Sequence, residues 1–96
     1  MSGRVTNAQL EAVVERINRI TKSPLESYTV DSAGKYTANI GNFHLDYAYG
    51  GVALHRMQSI GGGITDVLSI GHPSKRECLN AMFAFIRGLE HEHKID

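Results

Sequence analysis

Residues 31–57, DSAGKYTANIGNFHLDYAYGGVALHRM, carry the signals that decide the fold. Gly41-Asn42 and Gly50-Gly51 are two-residue connections of the kind that close tight hairpins, because glycine reaches positive φ without strain. Asp31-Ser32-Ala33-Gly34-Lys35 reads as a three-residue loop with Gly34 in the left-handed position. With those turns set, alternation places Tyr28, Val30, Tyr36, Ala38, Ile40, Phe43, Leu45, Tyr47, Val52 and Leu54 on one face. The other face receives Thr29, Asp31, Lys35, Thr37, Asn39, His44, Asp46, His55 and Met57. The turns also predict a register. Asp46 falls opposite His55 and His44 opposite Met57, while Thr37 falls opposite Asp46, so Thr37, Asp46 and His55 form one row across three strands.

Outward from this meander, Thr6 with Gln9 and Ser74 with Glu77 are capping boxes that open helices. Leu10, Val13, Val14, Ile17 and Ile20 give the first helix an apolar stripe, and Pro24 stops it near Lys22. Cys78, Leu79, Met82, Phe83, Ile86 and Leu89 give the second helix a wider stripe that runs to about Glu90. Strands are expected near 27–31, 35–40, 43–49 and 52–58. The segment 60–71 reads either as a short strand or as a tucked-in connection, since Gly61-Gly62-Gly63 must turn. The expected fold is α+β, a two-layer α-β-β-β(-β)-α arrangement: an antiparallel meander sheet with both helices on its apolar face. Residues 1–96 form a single domain, with 1–5 and 91–96 frayed.

Composition excludes several classes. Ten basic and ten acidic residues cancel, so no net field steers the chain to nucleic acid or anionic lipid. Cys78 is the single cysteine, which excludes an internal disulfide and a cysteine-based zinc site. No apolar run approaches the roughly 20 residues that span a bilayer, and the N-terminus lacks a secretion signal's apolar core. The expectation is a cytoplasmic protein. Balanced charge and a polar sheet face favour a homodimer or higher homo-oligomer, through the sheet face or an edge strand.

Chemistry-bearing residues are sparse. Asp46 and His55 resemble a base with its orienting carboxylate, yet no serine or cysteine nucleophile shares their row. That pair reads as a cross-strand charged contact, and no enzyme is expected. His44, Asp46 and His55 offer too few ligands for a metal, so neither metal nor cofactor is expected. The candidate ligand- or partner-binding set is His55, Arg56, Gly61, Gly62, Gly63, His72, Lys75 and Arg76, which surrounds a phosphate-sized anion if the glycine loop folds back toward the second helix. The open sheet face, with Thr37, His44, Asp46 and Met57, is the other candidate surface. Lys75 and Arg76 oppose the dipole of the helix they begin, which suits an external anion. Their place after a meander resembles the double-stranded-RNA-binding fold, although the dense lysine cluster of that fold is missing.

Gly41-Asn42-Phe43-His44-Leu45, Ala48-Tyr49-Gly50-Gly51-Val52 and Leu54-His55-Arg56-Met57, with Gly61-Gly62-Gly63 and Lys75-Arg76-Glu77, resemble short proteins encoded by bacteriophages and prophages. The resemblance spans most of the chain, from the Gln9–Thr21 helix to Leu89. It implies an accessory or anti-defence factor in a bacterial host. Such a protein disables a host component by binding a protein or by sequestering a small anionic, nucleotide-like ligand. The expected function is therefore non-enzymatic binding. The alternative is a nucleic-acid-binding module that contacts phosphates through the start of the second helix.

Overall fold

The structure, a computed structural model, describes the backbone of residues 4–95 and side chains as far as His91. The order is α1 (Asn7–Thr21), β1 (Tyr28–Val30), β2 (Tyr36–Ala38), β3 (Phe43–Ala48), β4 (Gly51–Met57), β5 (Ile64–Asp66) and α2 (Lys75–Ile95). This is the expected α+β class with antiparallel pairing throughout. No helix among the described residues is long and apolar enough to cross a membrane.

Both helices begin where local chemistry says they should. Thr6 accepts from the Gln9 amide at 3.1 Å and Gln9 returns the bond to the Thr6 amide at 2.7 Å. Ser74 and Glu77 exchange the same two bonds at 3.2 Å each. α1 ends at Lys22 in the left-handed conformation, two residues before Pro24. α2 runs further than expected: its backbone stays helical through 91–95 rather than fraying after Glu90. The stripes of both helices meet Phe43, Val52 and Leu54 in one core with Leu10, Val13, Val14, Ile17, Cys78, Met82 and Ile86.

The strands form two sheets rather than one meander. β1 and β2 pair alone, while β3, β4 and β5 make a separate sheet with β4 central. The loop closing β1–β2 is as expected, with Gly34 at φ 81° and its amide donating to the Asp31 carbonyl at 3.0 Å. Gly41-Asn42 does not close a hairpin. Asn42 is buried and acts as a knot, donating to the Pro24 carbonyl at 2.8 Å and accepting from the Ser27 hydroxyl at 2.9 Å. Its own carbonyl accepts from the Met57 amide at 2.8 Å, which extends the β3–β4 pairing, and β2 makes no pairing with β3. The β1–β2 hairpin becomes an arm. Tyr28, Val30, Tyr36 and Ile40, expected in the core, are half exposed or more, and Ala38 alone of that set is buried. Tyr47 is also partly exposed, its hydroxyl donating to Glu11 at 3.0 Å.

The second turn is displaced by one residue. Tyr49 and Gly50 occupy the loop, both at positive φ (56° and 74°), and Gly51 opens β4. The register therefore pairs His44 with His55, Asp46 with Ala53 and Ala48 with Gly51. A one-residue displacement of the turn slips the pairing by two, which preserves the faces but dissolves the expected Asp46–His55 and His44–Met57 pairs. Met57, expected on the open face, is 1% exposed, and Thr37 belongs to the arm. The ambiguous segment 60–71 contains β5, followed by a bulge that turns at Ser69 and Gly71, both at positive φ.

β3 is an edge strand, and α1 covers its edge with a side chain. The Asn18 amide nitrogen donates to the Phe43 carbonyl at 3.0 Å, and the Phe43 amide donates to Asn18 Oδ1 at 2.8 Å, with Asn18 2% exposed. The side chain thus mimics a neighbouring strand. Asn18→Ala leaves a buried N–H and a buried C=O without partners, a loss of about 2–4 kcal/mol. Urea unfolding should show that loss as a lower midpoint at unchanged slope.

Candidate functional site

The polar face of β3–β4 is organised by the absence of a side chain at Gly51. A Cβ there would lie 2.5 Å from the Pro73 carbonyl oxygen and closer still to that of His72. Glycine lets the His72–Pro73 backbone lie directly on the strand, where the Val52 amide donates to the Pro73 carbonyl at 2.9 Å. This contact explains the displaced turn, since Gly51 is needed in the strand and Tyr49 takes the left-handed position instead.

The docked segment carries His72 over the sheet. Its Nε2 donates to Asp46 Oδ2 at 2.8 Å, its ring lies edge-to-face with His55 (6.1 Å between centroids), and Tyr49 stands against it at 5.3 Å. His44 meets His55 directly across the strands at 5.9 Å. Asp66 faces His55 from β5 and accepts from the Gly71 amide at 3.3 Å, tying down the bulge that delivers His72. The other oxygen of Asp66 is buried without a hydrogen-bond partner. Three imidazoles and a carboxylate thus share one half-buried patch, with a second carboxylate at its border.

The electrostatics follow from this packing. Burial, reinforced by the neighbouring His55, pushes the His44 imidazole below its ordinary pKa of 6.5. The Asn42 carboxamide is fixed by its bonds to Pro24 and Ser27, so its oxygen faces His44 Nδ1 at 3.2 Å and that nitrogen carries the proton. The hydrogen bond from His72 holds the Asp46 carboxyl below the usual carboxylate range, with the charges of the three histidines adding to it. Burial raises the pKa of the Cys78 thiol in the core, which leaves it unreactive.

The other expected residues lie elsewhere. Arg56 points to the opposite face, its guanidinium 4.7 Å from the centre of the Phe43 ring and its Nε donating to the Gly41 carbonyl at 3.2 Å. Gly61, Gly62 and Gly63 form a turn closed on Ser59, which takes the Gly62 and Gly63 amides on its carbonyl and hydroxyl. That turn abuts the end of β4, whereas Lys75 and Arg76 follow Pro73 at the beginning of β4. The two lie at opposite ends of a strand roughly 20 Å long and do not share a pocket. Glu77, held ionised by its bonds with Ser74, already places a negative charge at the start of α2. His91 is exposed, and the His93 side chain lies outside the described residues.

The contact between Asp46 and His72 spans 26 positions and was not read from the sequence. One signal pointed to it: a two-residue turn needs a single pair of positions, so the third residue of Tyr49-Gly50-Gly51 had another use. The chain matches no family model, and neither curated proteins nor solved structures gave a relative.

His44 sets an acid-side stability window. Its folded pKa lies below the unfolded value of 6.5, so its neutral form contributes stability above that value, and the contribution is lost as pH falls through the folded pKa. Thermal melts from about pH 7 to about pH 5 should show a falling midpoint, and His44→Gln should flatten the fall.

Proposed function

We propose that this chain is a non-enzymatic binding protein that grips a partner protein through the β1–β2 arm. The observation that carries this reading is the arm's apolar face. Tyr28, Val30 and Tyr36 share one side of the hairpin, with Tyr28 and Tyr36 edge-to-face at 6.3 Å, and all three are 48–68% exposed. Ile60 adjoins them through its carbonyl, which accepts from the Ala38 amide at 3.2 Å, and it too is exposed. A two-stranded hairpin is marginal on its own, and an apolar face of this kind is typical of a contact surface. Among the described residues β1 pairs with β2 alone, which leaves an outer edge to which a strand of a partner can add.

A phage accessory or anti-defence role that disables a host protein by occupying it fits the motif resemblance, and the cytoplasm of a bacterial host is the compartment it implies. Sequestration of an anionic ligand between the glycine turn and α2 loses support from the separation of that turn from Lys75 and Arg76. Homodimerisation would use the same arm.

A photo-crosslinking residue at position 36, compared with one at position 87 on α2, tests the arm in bacterial cells. The expected result is one discrete heteromeric adduct from position 36 that disappears with Val30→Lys. An adduct at twice the chain mass would assign the arm to self-association, and equal labelling from both positions would sink the proposal.

A further inference from the structure

We propose that Asp46, His55 and His72 form a binding site for one divalent transition-metal ion of the zinc class, with a remaining coordination position open to solvent. Each of the three offers a ligand atom, and these atoms lie within 4.8 Å of one another. Four-coordinate zinc with bonds of 2.0–2.2 Å needs ligand atoms about 3.3–3.5 Å apart. The shortest separation here, 2.8 Å between His72 Nε2 and Asp46 Oδ2, is a hydrogen bond, so a proton now sits where the two ligands converge. The ion takes the place of that proton. Asp46 and His72 move apart by about half an ångström, and His55 closes from the side.

The donor set selects the class of ion. Two imidazoles and one carboxylate, with no thiolate, suit zinc, cobalt, nickel, copper or iron in the divalent state, whereas magnesium and calcium demand more oxygen ligands. The site also has the supports that metal-binding histidines use. Asp66 stands directly across from His55 on β5, and one of its carboxylate oxygens is buried without a partner. Its other oxygen holds the Gly71 amide, one residue before His72. A carboxylate that holds the backbone beside one ligand, and whose unpartnered oxygen lies on the strand position across from another, is a positioning residue of the kind such sites use. His44 stands behind His55 on the far side. Tyr49, 94% exposed, borders His72 at the solvent-facing rim, leaving the open position reachable by water or a small anion.

The site sits on β3, β4 and the segment docked on Gly51, not on the arm, so it stands or falls independently of the protein contact proposed above.

The test is titration of untagged, chelator-stripped protein with Co²⁺, read by visible absorption, and with Zn²⁺, read by calorimetry. One equivalent of either ion should bind, with the low-coordinate Co²⁺ spectrum intensifying in proportion. His72→Ala, His55→Gln and Asp46→Asn should each lower affinity at least about tenfold, and Asp66→Asn should lower it by a similar factor without removing a ligand. Replacing His91 and His93 together by Gln should leave affinity unchanged. The wild-type protein supplies a second readout that depends on no variant's folding: Zn²⁺ should shift the amide resonances of residues 44–46, 55 and 71–73 and spare those of the arm. Absence of binding at millimolar Zn²⁺, or resonance shifts confined to the C-terminal histidines, overturns the proposal.

Discussion

The close approach of the His72–Pro73 backbone to Gly51 is the constraint on which most of this structure turns. It places the end of the long connection from β5 to α2 on the sheet, and so determines where α2 begins its descent onto the core. It also determines which residues close the β3–β4 hairpin. A side chain at 51 would force the connection off the strand and cost the Val52–Pro73 hydrogen bond with it. The polar face is consequently a clamped patch in which a histidine distant in sequence sits above two strands, with Asp66 holding the connection from below.

Two surfaces of opposite character result. On the three-stranded sheet, titratable groups converge in a shallow, half-buried patch. On the arm, aromatic and branched apolar residues face solvent beside an open strand edge. The core between them is ordinary: amphipathic helices cover one sheet face, and Asn18 closes the sheet's edge at β3.

Much of this was legible in the sequence, and the boundary has a physical cause. Capping boxes at Thr6 and Ser74 are local and were read as they stand. Face assignment along β3 and β4 survived a misplaced turn, because alternation has period two and the slip was two residues. What alternation cannot decide is whether a polar-capped connection continues a sheet or leaves it. Gly41-Asn42 has the composition of a hairpin turn, but Asn42 is pulled inward by Pro24, Ser27 and Met57, partners supplied by separate parts of the chain. The expected core residues of the arm were therefore assigned to a sheet they do not join. The His72–Asp46 contact was hidden for the same reason: it depends on a return of the chain that no local pattern encodes.

The manner in which the arm is attached has a dynamic consequence. Its links to the body run through polar contacts around Asn42 and one bond from Ala38 to Ile60, and Ala38 is the one apolar residue of its strands that is buried. Opening it would break these bonds while leaving the helix–sheet core intact. The arm is thus set up as a separate cooperative unit whose amides exchange with solvent well before those of β4. A partner that orders it would give up conformational entropy on binding, and affinity would then depend as much on the arm's stiffness as on the groups it presents.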